Sequence, residues 1–254
     1  MLRMIRVLWL LIMLIPSGAY AKDKVIIAVG EYPPLVSEHL KHYGVTARIV
    51  VEAFALEGVD VEYKFTNWAR AFHLVNEGAA DAIGPILKNK ERQTVYDFSD
   101  SMLYETQVFF HIKSTDFTWH RIEDLKRFEI GATIAYSYGR AFDIAATTGE
   151  ISVQRVPSDL QNFKKLFNDR IDIFPQSIDV GYYMLQTEFP SKTTLVTHHP
   201  HFVNQSDNYL AFSKKNPRSQ HYLTLFNRGL ATLKATGKYE QYFQESRNGD
   251  YIIK

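Results

Sequence analysis

The chain has 254 residues, 46% of them hydrophobic and 22% charged, with a formal net charge of +1. That balance is ordinary for a globular protein and excludes an intrinsically disordered chain. Near-neutrality gives no electrostatic ground for a nucleic-acid or anionic-membrane partner, and with no cysteine there is neither a disulfide framework nor a lipid-modified cysteine anchor.

Arg3 and Arg6 precede an unbroken apolar run from Val7 to Ile15, then Pro16-Ser17-Gly18 and Ala19-Tyr20-Ala21. These are the three regions of a cleavable secretory signal, assigned to residues 1–21; the apolar run is far shorter than the ~20 residues a membrane span needs. Cleavage would leave 27 basic residues against 28 acidic ones. An exported, untethered chain large enough to do without disulfides fits the periplasm of a Gram-negative cell.

From there strand and helix patterns alternate. Val25–Val29 reads as a buried strand and Val45–Leu56 as an amphipathic helix stopped by Gly58. Val59–Phe65 alternates strictly, Trp68–Val75 returns to helical spacing, and Asp81–Gly84 is a third short strand. Such a β-α-β-α-β run implies a parallel sheet flanked by helices. A second cycle follows: strands at 128–133, 151–155 and 171–174, with helices at 138–146 and 158–167. Ser158 and Gln161 have capping-box spacing. Tyr209–Phe212 reads as a further strand, before a long helix at 218–234 and a last short one. No low-complexity linker divides the two units, which suggests lobes joined by extended strands.

The segment Glu91-Arg92-Gln-Thr-Val-Tyr96-Asp97-Phe98-Ser99-Asp100 resembles the E-R-x-x-x-x-D-F-S-D signature of family 3 bacterial solute-binding proteins. Other blocks agree in order: Ala28 to Pro34, Glu52-Ala53-Phe54 before Gly58, Trp68-Ala69-Arg70 before Gly78, Asp169 to Asp172, and Gly237-Lys238-Tyr239. The resemblance spans roughly residues 24–245. It implies a type II periplasmic binding fold, with lobe 1 at 22–108 plus 212–254, lobe 2 at 109–211, and a ligand held between them. It also implies a monomer that delivers a small molecule to an inner-membrane ABC permease, without enzymatic activity, cofactor or metal.

By the same resemblance Arg92 takes a ligand carboxylate, which suits the bidentate fork of guanidinium. Tyr32 and Trp68 match positions whose rings flank the ligand. Tyr136 and Ser137 match the second-lobe positions before a helix, where Ser137 also reads as an N-cap. Two places depart from the family pattern. Ser177 stands where amino-acid binders carry the acid that pairs with the ligand ammonium, and Asp179 follows two residues later. The first-lobe strip that offers serines and a backbone carbonyl reads here Gly84-Pro85-Ile86-Leu87. An ammonium buried without a partner is costly, so the expected ligand is a carboxylate-bearing polar solute, an amino acid or derivative, with an ordinary α-amino acid disfavoured.

His198, His199 and His201 surround Pro200 and are expected in a loop rather than at a metal. No phosphate loop, nucleophile elbow or base–nucleophile pair is visible, and no catalytic carboxylate can be assigned to the cleft. Two alternatives stand beside the transport receptor: a ligand-sensing module for a membrane sensor, and a dehydratase-like enzyme on the same scaffold.

Overall fold

The computed structural model describes residues 23–134 and 136–253. The expected signal segment, residues 1–21, lies outside them. In chain order the elements are β1 (Lys24–Val29), α1 (Val45–Ala55), β2 (Asp60–Phe65), α2 (Trp68–Asn76), β3 (Ala82–Leu87), α3 (Lys90–Val95), β4 (Tyr96–Phe98) and β5 (Leu103–Ile112). There follow β6 (Ile130–Thr133), α4 (Arg140–Thr148), β7 (Val153–Val156), α5 (Asp159–Leu166), β8 (Ile173–Ser177), α6 (Ile178–Glu188), β9 (Val196–Ser213), α7 (Ser219–Ala235) and α8 (Lys238–Arg247). No helix among the described residues is long and apolar enough to cross a membrane.

The two predicted α/β cycles form as expected. β1 pairs in parallel with β2 and β3, and β6 in parallel with β7 and β8. The alternation of β2 turns Val61, Tyr63 and Phe65 onto one hydrophobic cluster. Ser158 caps α5 by accepting the Gln161 N–H.

Two long strands whose length the sequence pattern does not reveal join the cycles. β5 and β9 run antiparallel at the middle of a single sheet ordered β2-β1-β3-β9-β5-β8-β6-β7, with β4 also on β9. The end of β9 pairs with β3 and β4, while Gln107–His111 of β5 pair with β8. Buried apolar side chains gather in four clusters that share no member. Phe109 and Phe110, adjacent on β5 and both fully buried, enter different clusters on opposite faces. Each such burial is worth ~1.5–3 kcal/mol. Leu210 and Ala211 already pack with residues of β1 and β3, so the chain re-enters the first unit ahead of the expected residue 212.

The histidine segment is not a loop. Thr197–His201 belong to β9, whose register on β5 jumps from Phe110↔His198 to Val108↔Phe202. The extra residues form a bulge, where a strand tolerates Pro200 without breaking its ladder. His198 Nδ1 lies 2.8 Å from the Tyr182 hydroxyl, and the His201 ring stacks edge-on to Trp119 at 4.7 Å. Burial lowers the pKa of both His198 and His199.

Candidate functional site

A cavity of about 720 Å³ opens where β5 and β9 cross between the two units, within the range of small-molecule sites. One wall comes from the first unit. Tyr32 follows β1 in a tight turn, its N–H donating to the Val36 carbonyl at 2.7 Å. Trp68 is the first residue of α2, capped by Asn67, whose side chain accepts the Arg70 N–H at 2.8 Å. The indole lies on Gly30: a Cβ there would meet its Nε1 at 2.5 Å. The site thus requires a glycine for close approach, whatever its φ.

Arg92 lies in α3, where Asn89 accepts its backbone N–H at 2.7 Å. Its guanidinium sits 5.0 Å from the centre of the Phe72 ring and donates from Nη1 to the Leu87 carbonyl at 2.7 Å. That contact uses one of the five donors of the fork. Pro85 lines the cavity beside Ile86 and Leu87. Gly84 does not: a Cβ there would meet the Tyr209 carbonyl oxygen at 2.7 Å, so this glycine serves the close passage of β3 against β9.

The opposite wall carries Tyr136 and Ser137 together with Tyr183 and Met184 of α6. Ser137 is not the helix cap. Gly139, at φ +95°, takes that position, and the Ser137 hydroxyl donates instead to Asp143 at 2.5 Å. Arg155 steadies the segment by donating from Nη1 to the carbonyls of Thr133 and Tyr136 at 2.9 and 3.2 Å.

Ser177 is absent from the lining. It is buried at the start of α6, with no hydrogen-bond partner for its Oγ among the described residues. Nor does Asp179 replace the missing acid. It turns to α8, where Arg247 Nε donates to its Oδ1 at 2.7 Å.

Carboxylates nevertheless reach the cavity from positions the sequence reading passed over. Glu105 of β5 accepts the Tyr32 hydroxyl at 2.8 Å and the Asn208 amide at 3.3 Å. Burial pushes its carboxyl pKa up. Asp159, at the first turn of α5, accepts the hydroxyl of buried Thr133, which in turn accepts from Asn162 Nδ2 at 3.1 Å. Both acids act on the Tyr136 phenol, whose pKa rises through burial first and then through Asp159 and Glu105. Glu31 and Glu188 stand at the exposed rim. Two amides complete the floor: Gln107 Oε1 and Gln176 Nε2 are buried without hydrogen-bond partners among the described residues. Asp159 directly after Ser158 reads in sequence as a helix-start acid, whereas Glu105 lies in a stretch of mixed polarity that carries no clear strand period. Only the pairing of β5 with β9 turns Glu105 inward.

The model of the bacterial extracellular solute-binding proteins, family 3, matches residues 25–246. No curated protein matches the sequence. Among solved structures, the chain is similar to the L-cystine solute receptor of Neisseria gonorrhoeae in its unliganded open conformation, with 18% identity and a TM-score of 0.73. That match covers 92% of this chain and 96% of the receptor. The second substrate binding domain of Lactococcus lactis GlnP, also open, matches at 18% identity and TM-score 0.73, covering 89% and 96%. An ancestral arginine-binding protein bound to arginine matches at 19% identity and TM-score 0.60, covering 88% and 98%. These likenesses show the fold, that of type II periplasmic binding proteins.

Proposed function

Since the chain belongs to the bacterial extracellular solute-binding proteins of family 3, we propose that it is a periplasmic receptor that closes on a small polar solute for an inner-membrane ABC importer. The observation that carries this reading is the cavity itself. It is walled by rings and polar groups from both α/β units and floored by the two strands that join them. A site shared in this way rewards closure, because a ligand that touches both walls binds the closed state better than the open one. The higher TM-scores against the two open relatives than against the arginine-bound one support reading the present cleft as open.

Within the cleft, Arg92 takes a carboxylate of the solute, an amino acid or derivative, while Trp68, Tyr32 and Tyr136 flank its chain. Export through the signal at residues 1–21 places the receptor in the periplasm, where it acts as a monomer. Mass spectrometry of small molecules released from protein purified without denaturation tests the reading. A stoichiometric solute is expected, and it should stabilise the emptied protein by ~2.7 kcal/mol at a hundred times its Kd. No released solute, together with no thermal shift across amino acids, amines and carboxylates, would refute it.

An enzyme on this scaffold is the second reading, and one observation favours it. Glu105 faces the cleft with a pKa raised by burial, as a proton donor would require. Release of the solute chemically unaltered after incubation decides for the receptor.

A further inference from the structure

The position expected to hold an acid for a ligand ammonium is occupied by Ser177, yet the cavity is not short of negative charge. Among the described residues four carboxylates line it, Glu31, Glu105, Asp159 and Glu188, against one guanidinium, that of Arg92. The two inner acids come from different elements, β5 and the start of α5. Neither has a cationic hydrogen-bond or salt-bridge partner among the described residues: Glu105 is held by Tyr32 and Asn208, Asp159 by Thr133. A carboxylate withdrawn from water relies on hydrogen-bond donors or takes up a proton unless a positive charge meets it, so these two acids have room for a cationic partner.

A second observation is independent of the acids. Gln176, 5% exposed, lines the same cavity, and its Oε1 accepts the Ser177 N–H, which fixes the amide orientation and leaves Nε2 without a partner among the described residues. Gln107 Oε1 is likewise buried and unpaired among those residues. A buried amide with an open donor or acceptor awaits a polar guest. The aromatic walls add a third element, since the faces of Trp68, Tyr32 and Tyr136 suit an alkyl chain that ends in a cation.

Resting on the receptor reading above, we infer that the solute carries a net positive charge, with an alkylammonium group held by Glu105 and Asp159. A carboxylate on Arg92 is compatible with it, because three acids remain in excess. Arg92 therefore separates two sources of the same chemistry: a basic amino acid, which uses the guanidinium, and a diamine, which does not.

The test is calorimetric titration of the exported chain, freed of co-purified solute, with L-lysine, cadaverine, L-glutamate, L-leucine and succinate. L-lysine or cadaverine is expected to saturate one site, while the neutral and anionic probes give no saturable heat. Glu105→Gln and Asp159→Asn should each weaken the cation by ~10-fold or more, the scale of a lost charge-assisted contact. Two variants from separate elements, each checked by thermal melting, guard against a folding defect in either one. Loss of L-lysine binding in Arg92→Ala would identify the basic amino acid, and retention of cadaverine the diamine. Saturable binding of glutamate, leucine or succinate, unchanged in both acid variants, would overturn the charge inference and leave the receptor reading standing. No saturable heat from any probe, with no solute released from the native protein, would overturn both.

Discussion

The two walls of the cleft are built by different means. In the first unit, the rings and the guanidinium stand at element starts directly beside short sequence blocks: Tyr32 after β1, Trp68 as the first residue of α2, Arg92 in the first turn of α3. Each is fixed by local contacts, a turn for Tyr32, the Asn67 cap for Trp68 and the Asn89 cap for Arg92. In the second unit, the polar groups are placed by tertiary packing. Asp159 depends on Thr133 across the sheet, and Gln176 faces the cavity because β8 pairs with β5. The first wall offers a positive charge among rings, the second a carboxylate, and β5 contributes another at the floor. Residues positioned locally are readable from sequence, and residues positioned across a sheet are not.

The largest effect should come from the first wall. Arg92→Ala is expected to weaken any carboxylate ligand by at least ~30-fold, since it removes the one guanidinium that lines the cavity among the described residues. Calorimetry with the released solute reads this directly, and an unchanged Kd would remove Arg92 from the site. A finer probe of the same wall leaves every binding side chain intact. Gly30→Ala pushes a methyl group into the Trp68 indole. It should cost about 1–3 kcal/mol of stability as an overpacked contact. It should also weaken the ligand by roughly 10-fold through the displaced ring. A melt that falls with no loss of affinity would mean that Trp68 packs without binding.

The sequence reading reached furthest where period and local motif agree. The alternation of β2 and the capped start of α5 placed those elements within a residue or two, and both parallel cycles followed. It stopped at β5 and at most of β9, whose residues are mixed in polarity because these strands serve two units and a cavity at once. For the same reason Glu105 escaped notice, although it lies in the strand that floors the site. Ser177 illustrates the reverse failure. Motif position put Ser177 at the ligand, while the junction of β8 and α6 buries it; Asp179, two residues on, faces elsewhere as helical spacing implies and pairs with Arg247.

The smallest predicted effect compares the walls through pH. Glu105 has a raised folded-state pKa, so the folded protein keeps a proton that the unfolded chain has already lost. Its contribution therefore favours the empty fold at low pH and is lost as pH rises from the ordinary glutamate range through the raised value. The groups acting on it are Tyr32 and Asn208, which donate to it, and the neighbouring Asp179 and Ser177. His111, His198 and His199 have lowered values and act in the opposite sense, destabilising the fold as pH falls below the usual histidine range. Differential melting of the solute-free protein against Glu105→Gln isolates the carboxyl. The variant should melt at or above the parent at neutral pH and lose that advantage on acidification. A variant that melts lower at neutral pH than at low pH, relative to the parent, would contradict this assignment.

The central claim is that both walls grip one solute, and paired loss of one ring from each tests it most directly. L-lysine titrated into the parent should show a single 1:1 site. Trp68→Ala and Tyr136→Ala should each weaken it by roughly 3- to 30-fold, the worth of a ring against a cation. A Kd left unchanged by either substitution would mean that the solute is held by one unit alone.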